Sequence, residues 1–133
     1  MLRVFWLQTR KPKRLPAGSQ VIVFSLRLKT PPEKRTGILR ALGALLGQTR
    51  AAPGCLNARL LVDLDDIQGI VLAEDWESRG QFEMQMDADK LNTLVAVIEL
   101  SNEAPIVHID SVTREEGIGI LPFDRYAVRS ATR

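Results

Sequence analysis

Three carboxylates and an indole crowd four successive positions of the stretch IVLAEDWESRGQF: Glu74, Asp75, Trp76 and Glu77. A carboxylate held against an indole in apolar surroundings has the makings of a proton acceptor. Strand alternation puts Glu74 on one face with Leu72 and Trp76, so Glu74 is expected to look into the fold. Asp75 and Glu77 read as a solvated strand end. Trp76 suits either a core or a pocket wall. A second candidate proton acceptor is His108, which shares a strand face with Asp110, an acid that could orient it. A hydrogen-bonded core or interface histidine accounts for the same position. Cys55 follows a helix end rather than a helix start. That is the wrong end of the dipole for a reactive thiolate, so it reads as a small buried residue. Phe82, Met84 and Met86 are packing residues that also suit a pocket for a flat apolar ligand.

Most other chemistries are absent from the pattern. Gly117 to Gly119 lacks the third glycine of a dinucleotide fingerprint, and there is no phosphate loop. There is no Gly-x-Ser-x-Gly elbow. One cysteine and one histidine exclude an intramolecular disulfide framework and make a His/Cys metal site unexpected. Any cofactor would therefore be held without a recognisable motif, or there is none. Apolar runs such as Leu42 to Leu46 fall far short of the ~20 residues of a membrane span. The opening MLRVFWLQTRKPKR carries its charge after its apolar run, unlike a secretory signal, and a cytoplasmic location is expected.

The 133 residues fit one domain. The net charge of +2 conceals an asymmetry. Residues 1–20 hold Arg3, Arg10, Lys11, Lys13 and Arg14 without an acid, whereas residues 21–116 hold ten Lys/Arg and fifteen Asp/Glu. A basic, flexible N-terminal extension over 1–20 is expected. The acidic body of the domain, 21–116, argues against a nucleic-acid partner. Residues 117–133 read as a C-terminal tail without periodicity.

Several elements must position the candidates. Val21 to Lys29 alternates as a first strand. Thr30 is expected to cap a helix opened by Pro31 and Pro32 and running to about Arg50, with Ile38, Leu42, Leu45, Leu46 and Thr49 on one stripe. Gly37, Gly43 and Gly47 in that helix suggest close approach of a neighbouring backbone. Cys55 to Asp66 and Ile70 to Glu77 form a hairpin around Asp65, Asp66 and Gly69. Ser78 caps a short helix, the DADK segment at Asp87 starts another, and Pro105 opens the last strand. The order β-α-β-β-α-β predicts an α+β, ferredoxin-like fold: a four-stranded antiparallel sheet with its helices on one face. Val23, Leu61, Val71, Ala73, Val107 and Ile109 are expected on the other face. A second apolar face needs a cover, and a homodimer with sheets face to face is the economical one.

The chain resembles the antibiotic biosynthesis monooxygenase family, which includes quinol monooxygenases. The resemblance rests on Pro53-Gly54-Cys55, on Glu74-x-Trp76-Glu77-Ser78 and on the strand opened by Pro105, and covers about Val21 to Ile118. It implies a dimeric α/β-barrel of ferredoxin-like subunits. It further implies oxidation of a quinol-like or polyphenolic aromatic ligand by molecular oxygen, with neither metal nor flavin. With that reading Trp76, Glu74 and His108 are the candidate catalytic set, with Glu74 or His108 as the proton acceptor. Leu72, Trp76, Phe82, Gln85 and Met86 would line the substrate pocket. Some family positions differ. Histidines common in the family are Gln85 and Lys90 here, and an Asn and a Tyr of polyketide-oxidising members are Leu72 and Phe82. The haem-degrading branch's polar positions correspond to Ser25 and Val95, which cannot ligate iron. The alternative is a non-catalytic, dimeric small-molecule-binding or regulatory module of the same fold.

Overall fold

The computed structural model describes residue 15 and residues 18–114. Nearly all of the expected N-terminal extension and the whole C-terminal tail lie outside the described residues. β1 spans Gln20–Lys29 and leads through a 3₁₀ turn, Pro32–Lys34, into α1, Arg35–Ala51. β2, Cys55–Val62, and β3, Gly69–Trp76, form a hairpin. Two helices follow, α2 at Arg79–Gln85 and α3 at Ala88–Leu100, before β4 at Ile106–Thr113. The antiparallel sheet has the order β2-β3-β1-β4. This is the expected α+β, ferredoxin-like arrangement, with the second crossover split into two helices.

Local chemistry explains most boundaries. β1 alternates because Ile22, Phe24, Leu26 and Leu28 are buried while Val23, Ser25, Arg27 and Lys29 between them are partly exposed. α1 buries Ile38, Leu42, Leu45 and Thr49, a stripe at helical spacing. Ser78 caps α2 by accepting the Gln81 amide at 3.2 Å, and Asp87 caps α3 by accepting the Lys90 amide at 2.9 Å. Thr30 is not the cap expected of it. It is buried, and its hydroxyl donates to the Gln68 carbonyl at 3.0 Å, tying β1 to the β2–β3 hairpin. The helical glycines also depart from expectation: a Cβ at Gly37, Gly43 or Gly47 would meet nothing within 4 Å. Gly54 is different. Its φ of 85° favours glycine, and a Cβ there would fall 2.3 Å from the Gln81 side chain.

Register settles which side each strand residue takes, since directly paired residues project to the same face. Ile22, Phe24 and Leu26 of β1 pair with Trp76, Glu74 and Leu72 of β3. All six are buried on the helix side. Val107 and Ile109 pair with Leu26 and Phe24, so they lie on the helix side and not, as expected, with Val23. They remain 49% and 42% exposed because β4 is an edge strand that the helices do not cover. His108 and Asp110 pair with Ser25 and Val23 on the open face.

The core lies between sheet and helices, where Phe24, Leu26, Leu72 and Trp76 meet Leu42, Leu45, Phe82, Leu94 and Val97. Burying each large side chain contributes about 1.5–3 kcal/mol. Phe82 anchors the short α2, stacked at 5.4 Å from Phe24 and edge-on at 6.3 Å from Trp76, centroid to centroid.

Candidate functional site

Within this apolar layer sits a carboxylate. Glu74 points from β3 toward the helices with 0% of its surface exposed. An isolated charge there would be costly, and the fold answers it in full. The Trp76 indole N–H donates to Glu74 Oε1 at 3.1 Å. Lys90 Nζ donates to Glu74 Oε2 at 2.7 Å. Strand alternation supplies the first contact, because residues 74 and 76 share a face. The Asp87 cap supplies the second, because it fixes the start of α3 and hence the direction of Lys90 three residues later.

Lys90 is only 4% exposed. An ammonium has three N–H donors. Besides Glu74, they reach Thr49 Oγ1 of α1 at 3.1 Å and Gln85 Oε1 of α2 at 2.5 Å. The Gln85 amide nitrogen in turn donates to the Phe82 carbonyl at 3.0 Å. The ammonium also lies 6.0 Å from the Trp76 ring centroid. Among the described residues, every buried side-chain nitrogen and oxygen has a partner. Three helices and β3 thus converge on one ion pair.

Above Lys90 opens a pocket of about 270 Å³. The end of α1 lines it with Leu45, Gln48 and Thr49, and α2 with Gln81, Met84 and Gln85. Ala52, Pro53, Lys90 and its capping Asp87 form the remaining wall. Gly54 sets the rim, since the missing Cβ leaves room for Gln81. The arrangement places a buried cation, backed by a carboxylate, at the base of a pocket with apolar and amide walls. Such a base can accept an oxygen atom of a ligand and can pass a proton between ligand, Lys90 and Glu74.

The candidate residues fall into three groups. Gln85 lines the pocket. Glu74, Trp76, Leu72 and Phe82 are buried behind it, with Glu74 and Trp76 joined to it through Lys90, and Met86 packs against the core. His108 stands apart on the exposed open face of β4, on the other side of the sheet from Glu74. Sequence reasoning noted Lys90 only as a replaced histidine and did not single out Thr49 or Gln48. The available signal was a lysine at the third position of a helix that also presents Leu94 and Val97 to the core.

Among the described residues, no group of three or more His, Cys, Asp or Glu side chains could hold a metal ion, and no helix is long and apolar enough to cross a membrane. No curated protein matches the chain. Solved structures do. A conserved protein of Methanosarcina mazei Go1 superposes with a TM-score of 0.66 at 15% identity, covering 74% of this chain and 96% of its own. A crystal structure of an antibiotic biosynthesis monooxygenase gives 0.62 at 19% identity, with coverage of 70% and 99%. A Mycobacterium tuberculosis protein gives 0.61 at 26% identity, with coverage of 75% and 99%. The sequence profile of the antibiotic biosynthesis monooxygenase family matches residues 21–95, from the first residues of β1 into α3, and so spans Glu74, Trp76, Gln85 and Lys90. With more than half of its length matched and the ferredoxin-like sheet in place, the chain belongs to the antibiotic biosynthesis monooxygenase family.

Proposed function

We propose that the protein is a cofactor-independent monooxygenase that oxidises a quinol-like or polyphenolic small molecule with molecular oxygen in the pocket above Lys90. The observation that carries this reading is the buried Lys90–Glu74 pair at the pocket base, hydrogen-bonded to Trp76. The chemistry needs an electron-rich ligand and a place for its proton. A phenol oxygen approaching Lys90 can give up its proton as Lys90 passes one to Glu74, a net transfer to the carboxylate across a 2.7 Å contact. The phenolate left beside the ammonium is electron-rich enough to reduce oxygen. For a hydroquinone, one oxygen atom enters the ring, the other leaves as water, and the product is a hydroxyquinone. All four electrons come from the substrate, so no further reductant is required.

Trp76 in this scheme fixes the carboxylate rather than touching the ligand. His108 faces away from the pocket and has no part in the scheme. A homodimer belongs to the same reading, supported by Val23, Leu61, Val71 and Ala73 on the open sheet face. Sedimentation of the purified chain tests that part directly.

Oxygen consumption with a panel of hydroquinones and anthrones tests the reaction. The expected result is turnover by wild type and by His108→Ala, and its loss in the paired variant Lys90→Met/Glu74→Gln. Ligand binding without oxygen uptake across the panel would favour the non-catalytic module, a reading supported by how completely the network satisfies itself without a ligand.

A further inference from the structure

Lys90 meets its three acceptors unequally. Glu74 is enclosed, and Thr49 is 3% exposed on a core-facing stripe of α1. Gln85 is different. It is partly exposed, lines the pocket, and holds its oxygen on Lys90 from the ligand's side. It is the last residue of a seven-residue helix, with Met84 beside it 84% exposed. Glu74 neutralises the ammonium only from below. Of its two partners that line the pocket, both neutral, Thr49 is almost fully buried and Gln85 is the one partly exposed. The other acid at the pocket, Asp87, has its Oδ1 engaged in capping α3.

We propose that the Gln85 amide oxygen is an internal stand-in for a ligand oxygen, and that Lys90 selects ligands bearing an ionised oxygen on a compact aromatic ring. Such a ligand displaces Gln85 and takes its place on the ammonium. A charged oxygen makes a stronger bond to the ammonium than a neutral amide does. The exchange therefore favours anions, while a neutral alcohol gains little over the amide it replaces. The volume of about 270 Å³ is at the small end for ligand pockets and suits one or two rings. The inference rests on the pocket assigned above but not on any turnover there.

Three probes of matched size test it by calorimetry: 4-nitrophenol at a pH where it is ionised, 4-nitrobenzoate, and neutral 4-nitrobenzyl alcohol. The expected result is that wild type binds the anions at least about tenfold more tightly than the alcohol, the scale of one charge-assisted hydrogen bond. Gln85→Ala removes the competitor, so it tightens the anions severalfold and widens their margin over the alcohol. Lys90→Met/Glu74→Gln removes both charges together, so it loses the preference for the anions over the alcohol. A stronger response to the phenolate or to the carboxylate identifies which oxygen the seat was built for. Equal binding of all three probes overturns the inference, as does an anion preference that survives in the paired variant. Binding of none of them overturns both the seat and the pocket. Anion-selective binding without oxygen uptake leaves the seat standing and removes only the oxygenase reading.

Discussion

Ion pairs stand near both ends of β3, and the fold treats the buried one unlike those of the hairpin turn. Near its C-terminal end, Lys90 and Glu74 meet at 2.7 Å with side chains 5% and 0% exposed. Near its start, Asp63 meets Arg27 at 2.6 Å with side chains 26% and 40% exposed, and Asp66 meets Lys29 at 2.9 Å. The residue types are alike; the surroundings decide the consequence. In the hairpin either partner can lose its mate and be solvated instead, so the pairs shape a turn and contribute little beyond that. Under the helices neither partner can be released alone, because the survivor would be an uncompensated buried charge. The buried pair is also the one that opens onto a pocket.

Removing one member of each pair should separate the two cases most clearly. Lys90→Met is expected to destabilise the fold by about 3–5 kcal/mol, the cost of stranding a buried carboxylate. Adding Glu74→Gln should restore much of that loss, because both charges then disappear and the Gln oxygen can still accept the Trp76 N–H. Denaturant unfolding of the two singles and the double gives the coupling. Independent, additive losses would show that the pair is not the unit described here. A smaller effect is expected for Trp76→Phe, about 2–3 kcal/mol, from the lost hydrogen bond to a buried charge together with the space the smaller ring leaves in the core. If that variant unfolds like wild type, the indole N–H does not hold Glu74 in place.

The smallest effect belongs to the hairpin. The Arg27 hydrogen bond, helped by the Asp65 amide, holds the Asp63 carboxyl below its ordinary range, and the Lys29 hydrogen bond does the same for Asp66. A carboxyl lowered on folding adds stability above its unfolded value and loses it as pH falls through the folded value. Acid should therefore weaken the hairpin of wild type more than that of Asp63→Asn. Amide exchange in residues 62–69 reads the difference. An identical acid response in the two proteins would place the effect elsewhere.

Much of this layout was legible in the chain. Alternation put Glu74 with Leu72 and Trp76, and the Ser78 cap and the DADK segment marked two helix starts. What alternation could not supply was register. His108 and Asp110 were correctly placed on one face of their strand, yet which face met the helices depended on pairing with β1, a contact more than eighty residues away in sequence. Lys90 was obscured for a related reason. At a helix start beside Asp87 and Asp89, a lysine has the look of a solvated charge, and only the packing of α3 against the sheet side brings it to Glu74. The resemblance to the family flagged its position as a missing histidine, whereas the structure shows a buried cation bonded to Glu74. Thr30 and the glycines of α1 show the limit of local rules, because a cap competes with any stronger partner that tertiary packing delivers.

The central claim is that ligands enter above Lys90 and not on the open sheet face that carries His108. Titrating 4-nitrophenol into isotope-labelled protein and following amide signals by NMR tests it most directly, because Gln48, Gln81 and Gln85 place side-chain amides around the pocket. The account predicts that these three side-chain signals and the Lys90 backbone amide shift together, while Ser25 and His108 stay unchanged. Shifts centred on Ser25, His108 and Asp110, with the three glutamines silent, would contradict it.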